Sequence, residues 1–102
     1  YIQEIVREKI LENIHDEIPF NIEFFTDKII ENRNKSITAH ITIKLQKNSY
    51  KPIILGKKGE NIKKISILAR NDLEKNLNKK FHLFLFLKLK NNKKYALHKG
   101  SK

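Results

Sequence analysis

The sequence predicts an α+β domain in which three strands form a sheet and the helices pack on one of its faces. Three observations lead to this fold class: apolar residues recur at helical spacing in two long segments, they alternate with polar residues in three others, and polar turn residues separate the segments. The predicted order is α-β-β-α-α-β. At 102 residues the chain is long enough for one such layered core and too short for two.

The first segment predicts an amphipathic helix. Isoleucine or valine stands at every fourth position from residue 2 to residue 14, so that one face of the helix is apolar. The pattern extends to residue 18, and Pro19 ends it because proline disfavours helical geometry in the residue before it.

The next two segments predict the strands of a β-hairpin. Apolar and polar residues alternate in residues 20–24, whereas Phe25 and the pair at 29–30 blur the pattern and indicate a bulge or an uneven edge. The alternation is regular in residues 37–45. A polar turn at residues 32–35 separates the two strands, which favours antiparallel pairing between them.

The second half of the chain predicts a short helix, a longer helix and a third strand. Pro52 can open a helix that Gly56 ends, and the longer helix begins near Glu60 and ends at Asn78. In residues 81–90 apolar side chains occupy alternate positions, which is the pattern of a strand with one buried face.

Two features of the last segments complete the predicted domain. Phe84 and Phe86 lie on the opposite face of the third strand from its leucines, so we expect part of this strand to be covered on both sides. Beyond residue 90 the chain is polar and rich in lysine. We therefore expect the domain to comprise residues 1–90 and residues 91–102 to form a basic, loosely ordered C-terminal tail.

Positive charge is concentrated in the second half of the chain. The formal net charge is +11, yet residues 1–50 contain 7 basic and 8 acidic side chains, whereas residues 51–102 contain 15 basic and 3 acidic ones. A nearly neutral half joined to a strongly basic half favours a polyanionic partner at one surface.

The composition also excludes several kinds of site. The chain has no cysteine, which excludes a disulfide scaffold, a thiolate metal site and a cysteine nucleophile. The histidines show no metal-ligand spacing, and no two carboxylates are paired as an acid and a base. The sequence therefore predicts no catalytic residue, no metal site and no cofactor in this domain.

The motif Gly-Lys-Lys-Gly at residues 56–59 joins the two predicted helices. Glycine lets the backbone bend sharply and approach another backbone, and an RNA strand lying across the loop would meet exposed N–H groups, a helix start and two lysines. Two further lysines lie one helical turn on, and apolar residues beside the loop are predicted to line a groove for splayed bases. The predicted RNA-binding residues are Gly56, Lys57, Lys58, Gly59, Lys63 and Lys64 for the phosphates, and Ile41, Ile54, Leu55 and Ile62 for the bases.

Two glycines at this spacing also occur in ordinary turns, so the surrounding sequence has to show whether the loop is a binding motif. The stretch ILGKKGENIKKI, residues 54–65, resembles the signature of KH domains, and the element order resembles the type II KH fold. Residues 7–20, 53–70 and 79–90 resemble, in the same order, the carboxy-terminal KH domain of the Era family of GTPases. The sequence departs from that family at Lys58 and Ser66, where the family usually has glycine.

The resemblance implies a ligand, a role and a place. Era proteins bind the 3′ end of small-subunit ribosomal RNA with this domain and assist assembly of the small ribosomal subunit, while another domain of the same chain hydrolyses GTP. This sequence has no G-x-x-x-x-G-K-[ST] phosphate loop, so we do not expect this chain to be the enzyme. The implied location is a bacterial cytoplasm, or a plastid or mitochondrion if the source is a eukaryote with an AT-rich genome.

Other functions are compatible with a basic α+β domain. A double-stranded RNA-binding domain also has a lysine-rich helix start, but it places three consecutive strands before its last helix. A basic protein-interaction domain would instead meet an acidic partner. A peripheral contact with an acidic membrane is disfavoured, because the apolar stripe of the basic helix is needed for the core.

Overall fold

The computed structural model describes residues 1–14, 22–89 and 94–99, the last of these as a strand. The predicted order α-β-β-α-α-β is confirmed, with one strand added at its end. The elements are α1 (Ile2–Asn13), β1 (Glu23–Glu31), β2 (Ile37–Lys44), α2 (Tyr50–Leu55), a single 3-10 turn (Lys57–Gly59), α3 (Glu60–Leu77), β3 (Phe81–Lys88) and β4 (Lys94–Lys99).

The four strands form one mixed sheet in the order β1-β2-β3-β4. The predicted hairpin is confirmed: β1 and β2 are antiparallel, and Lys35 N–H donates to the carbonyl of Asn32 (2.9 Å) in the turn between them. Strands β2 and β3 are parallel because α2 and α3 carry the chain back to the same end of the sheet. The expected irregularity in β1 is also present, as a register shift between Thr26 and Lys28.

Two sequence-based expectations about where elements end are corrected. The first helix ends at Asn13 instead of residue 18, since Ile14 is extended (φ −124°, ψ 106°) and the Asn13 side-chain amide donates to the carbonyl of Lys9 (2.8 Å). Pro19 lies outside the described residues. Within the expected loose tail, Lys94–Lys99 pair antiparallel with β3, because an open strand edge offers backbone groups to any segment that can reach it.

The core lies between the helices and the inner face of the sheet. Along β3 every second side chain from Phe81 to Leu87 is buried, and β2 contributes Ala39, Ile41 and Ile43. The helices cover these residues with the buried side chains Ile2, Val6, Ile10, Ile54, Ile62, Ile65, Ala69 and Leu73. None of the described helices is both long enough and apolar enough to cross a membrane.

The expectation that β3 is covered on both sides is corrected by its outer face. His82, Phe84, Phe86 and Lys88 are only half-buried there, while the inner residues of the strand are buried. Both phenylalanine rings contact the ring of His40 on β2, with centroids 4.7 and 5.5 Å apart. The phenylalanines are therefore partly shielded by neighbouring rings, and no helix in the described part of the chain covers this face.

Candidate nucleic-acid interface

The loop of residues 56–59 (the GKKG loop) has a backbone that favours glycine at both ends. Gly56 ends α2 with φ 72° and ψ 178°, and Gly59 precedes α3 with φ 74° and ψ 16°. Gly56 N–H donates to the carbonyl of Pro52 (2.9 Å), and Gly59 N–H donates to that of Gly56 (3.2 Å). Lys58 also has a positive φ of 55°, which costs a residue with a Cβ roughly 1–2 kcal/mol. The loop is thus a tight turn with fixed geometry.

Asn61, in the first turn of α3, connects this helix to the end of α2 next to the loop. Its side-chain amide donates to the carbonyl of Ile53 (3.0 Å), one of the α2 carbonyls that have no partner within the helix. A Cβ added to Gly56 would lie 2.5 Å from Cγ of Asn61. The two helices therefore approach so closely at this point that Gly56 and Asn61 act as a pair. Sequence reasoning missed Asn61, although its position two residues after Gly59 places it in the first turn of the helix.

The four predicted phosphate-binding lysines lie together along one edge. Lys57, Lys58, Lys63 and Lys64 are all exposed, and no salt bridge to any of them is found among the residues that the structure describes. The loop also lies at the N-terminus of the 18-residue helix α3, where the helix dipole places roughly half a positive charge. This edge is therefore electrostatically suited to an anionic backbone.

Three of the predicted base-contacting residues lie beneath the surface. Ile41 and Ile54 are 0% exposed and Ile62 is 1% exposed, so none of them offers a face to a base. The prediction of direct base contact is corrected for these three, because their helical or strand spacing turns them into the core. They support the site by packing under it.

The apolar surface beside the loop comes instead from the flank of α2. Leu55, one of the predicted groove residues, is half-buried, and Tyr50 and Ile53 are also half-buried and pack against the core. Sequence reasoning missed Tyr50 and Ile53. The signal was available in the helix period, since Tyr50 lies one turn before the inner residue Ile54 and Ile53 is next to it on the flank.

A shallow pocket of about 260 Å³ continues the cationic edge along α3. Its lining residues are Glu60, Lys63, Lys64, Ile67 and Leu68, spaced along one face of the helix. Ile67 and Leu68 are half-buried and give this pocket an apolar base. Lysine ammonium groups and exposed apolar surface thus lie side by side next to the GKKG loop.

Among the described residues, no group of three or more histidine or acidic side chains is placed to hold a metal ion. What the described residues bring together at this site is positive charge and apolar surface.

Comparison with known proteins places this geometry in a family. The sequence profile of the KH domain matches residues 17–94. The chain is 46% identical over 90 residues to the GTPase Era of Ehrlichia canis, covering 88% of this chain and 30% of that protein. It is 36% identical over 88 residues to the GTPase Era of a Geobacter species, covering 86% of this chain and 30% of that protein. The chain thus spans less than a third of the length of these relatives.

Solved structures of Era have the same fold over this region. Aquifex aeolicus Era bound to GDP.AlF4- superposes with a TM-score of 0.79 at 32% identity, covering 86% of this chain and 30% of that one. Era in complex with MgGDPNP and nucleotides 1506-1542 of 16S ribosomal RNA superposes with a TM-score of 0.78, at the same identity and coverage.

Proposed function

The chain belongs to the KH domain family, and on that premise we propose that it binds single-stranded RNA at the GKKG loop. The observation that carries the proposal is the loop itself: two glycines with positive φ hold two exposed lysines at the N-terminus of α3. Likeness to an Era structure that contains nucleotides 1506-1542 of 16S ribosomal RNA supports the 3′ region of small-subunit ribosomal RNA as the ligand.

The role of the whole protein is part of the proposal. We assign the chain to an Era-like GTPase that acts in assembly of the small ribosomal subunit, in which this domain holds RNA. GTP hydrolysis then belongs to a domain outside this sequence, and that domain and the small subunit are its partners. The relatives named above are bacterial, which favours a bacterial cytoplasm over a plastid or mitochondrion.

Binding divides into a phosphate part and a base part. Lys57, Lys58, Lys63 and Lys64 attract phosphates, and each neutralised phosphate steepens the slope of log K against log salt by roughly 0.7 for a single strand. Four contacts therefore give a slope of about −3. Bases pack against the half-buried flank of α2, at Tyr50, Ile53 and Leu55, where unstacked bases can be distinguished.

Reversing the charge of the loop tests the proposal. Lys57→Asp with Lys58→Asp should abolish binding of a fluorescent single strand of about 6 nucleotides from the 16S RNA 3′ region, which is short enough to bind at the loop alone, measured by anisotropy. The fold should persist, since aspartate tolerates the left-handed conformation at position 58 better than most residues. Circular dichroism and the thermal midpoint check this.

The matched control is Lys75→Asp with Lys80→Asp. It makes the same charge change at exposed lysines toward the other end of α3, where Lys75 lies roughly 22 Å from Glu60 along the helix. The control should lose little affinity. Equal losses in both double variants would mean that net charge, not the loop, binds the RNA. Equal affinity of the unmodified chain for a duplex of the same sequence would favour the double-stranded alternative.

A further inference from the structure

The outer face of the sheet carries a second cluster of aromatic and basic side chains, on the side away from the helices. On β2 and β3 the residues that face outward are directly paired: Thr38 with His82, His40 with Phe84, Thr42 with Phe86, and Lys44 with Lys88. Rings therefore occupy the middle of the face, and two lysines lie side by side at the carboxyl ends of the strands.

Strand β1 extends this surface at the edge of the sheet. Phe25 lies opposite Thr42 and Lys28 lies opposite His40, so both share the outer face. Phe25 is 44% exposed, and Lys28 is exposed as well. Two acidic side chains adjoin this face: Asp27 accepts a hydrogen bond from Thr42, and Glu23 lies opposite Lys44.

The lysine pair at the end of the face needs an explanation. Like charges that are directly opposite each other in a sheet destabilise it, and Lys44 and Lys88 are paired in this way. Glu23 lies 3.7 Å from the Lys44 ammonium group, and it is the one carboxylate near this lysine among the described ion pairs. The remaining excess of positive charge favours an anionic ligand at this end of the strands.

We propose that this outer face is a second contact surface for single-stranded RNA, with bases stacking on the rings and phosphates near Lys28, Lys44 and Lys88. Successive outward residues on a strand are about 6.6 Å apart, roughly twice the 3.4 Å rise of a stacked strand. Phe84 and Phe86 can therefore each meet a base only if the RNA is extended and unstacked, as single strands are when proteins read them. The surface is separate from the GKKG loop and binds whether or not that loop does.

Neighbouring residues of β1 provide a matched test. Phe25 faces outward, whereas Phe24 faces the helices, packs against the core and lies under the Arg7 guanidinium at 4.6 Å. Phe25→Leu with Phe84→Leu removes two outer rings and keeps apolar side chains. Phe24→Leu makes one such change, at the neighbouring position on the inner face, and serves as the control.

The assay compares unstructured RNA oligonucleotides of about 6 and about 14 nucleotides, within the ~4–16 nucleotides that single-strand sites cover. The longer one should bind more tightly to the unmodified chain. Loss of base stacking should weaken binding of the longer RNA by about 5- to 100-fold in the outer-face variant and leave the shorter RNA unaffected. The control should bind both as the unmodified chain does. An unchanged advantage of the longer RNA would overturn the proposal.

A second measurement avoids the outer-face substitutions altogether. In a chain that carries Lys57→Asp and Lys58→Asp, the loop is disabled and the outer face is intact. Adding the longer RNA should then shift the NMR signals of the His40 and Phe25 rings, and unshifted rings would overturn the proposal while leaving the loop function intact. Analytical ultracentrifugation without RNA tests the alternative that a second copy of the chain binds this face. A dimer that dissociates in the outer-face variant would assign the face to that second copy.

Discussion

Substitution of Gly56 by alanine probes the close approach of α2 and α3 on which the site depends. The new Cβ would lie 2.5 Å from Cγ and 2.7 Å from Nδ2 of Asn61, so the amide must move away from the carbonyl of Ile53. The backbone conformation of Gly56, φ 72° and ψ 178°, is a region open essentially to glycine alone and costs other residues about 1–3 kcal/mol. Loss of the hydrogen bond adds about 0.5–1.5 kcal/mol. We expect a total destabilisation of about 2–4 kcal/mol.

Gly59 provides the comparison for this effect. It also has a positive φ of 74°, but nothing lies within 4 Å of a Cβ built there. Gly59→Ala should therefore cost only the left-handed conformation, about 1–2 kcal/mol. Urea unfolding followed by circular dichroism measures both variants, and the difference should be seen in the midpoint at an unchanged slope.

A double-mutant cycle isolates the contact itself. Asn61→Ala removes the side-chain amide that obstructs the new methyl group, and it removes the same hydrogen bond that Gly56→Ala displaces. The double variant should therefore be less destabilised than the sum of the two single variants, by about 1 kcal/mol. Additive effects, or a Gly56→Ala variant no less stable than Gly59→Ala, would refute the assignment of Gly56 and Asn61 as a packed pair.

Three further predictions concern stability and binding. Ser66 is fully buried, and its hydroxyl has no hydrogen-bond partner within the described residues. Ser66→Ala should therefore raise the free energy of unfolding by about 1 kcal/mol and the thermal midpoint by about 4–8 °C. A lower midpoint would contradict this. The hydrogen bond from Lys9 to Asp72 (2.6 Å) raises the pKa of Lys9 above its ordinary 10.5, so this pair stabilises the fold fully below that pH and its contribution is lost as the pH rises through the folded pKa. In urea unfolding the unmodified chain should therefore lose more stability than Lys9→Met as the pH rises above 10.5, and parallel losses would contradict the assignment. Finally, Lys58→Gly should leave stability nearly unchanged, because relief of the left-handed strain offsets the greater entropy of the unfolded chain. The slope of log K against log salt for RNA binding should become shallower by about 0.7. An unchanged slope would mean that Lys58 does not contact a phosphate.

Helix and strand periods were sufficient to predict the layers of the fold. The spacing of isoleucines identified α1 and α3, and Gly56 and Asn78 marked where α2 and α3 end. The fourth strand was missed because its apolar stretch, Tyr95 to Leu97, is short and lies in a polar segment, and the pairing of Lys94–Lys99 depends on the open edge of β3. That edge exists only once the sheet has formed, so a local pattern cannot predict the pairing.

Some residues of the site could likewise be predicted from local sequence, whereas others depend on tertiary packing. The turn of the GKKG loop follows from its own residues, and its lysines are exposed as expected. The base-contacting set was wrong for Ile41, Ile54 and Ile62, because an apolar residue next to a binding loop can lie in the core or in a groove. Which of these occurs depends on the direction in which α2 packs, and the motif does not contain that information.

Net charge, like the loop motif, does not show where the side chains lie in the fold. Their positions decide how strongly salt should weaken RNA binding. If all 15 basic side chains of residues 51–102 acted as one surface, the slope of log K against log salt would reach about −10. The fold instead separates them: four lysines lie along the loop edge, Lys88 lies on the outer face of the sheet, and Lys75 and Lys80 lie toward the far end of α3. A short strand bound at the loop should therefore give a slope of about −3. Only a longer strand that also reaches the outer face should exceed it, and there the added lysines include Lys28 and Lys44 from the nearly neutral first half.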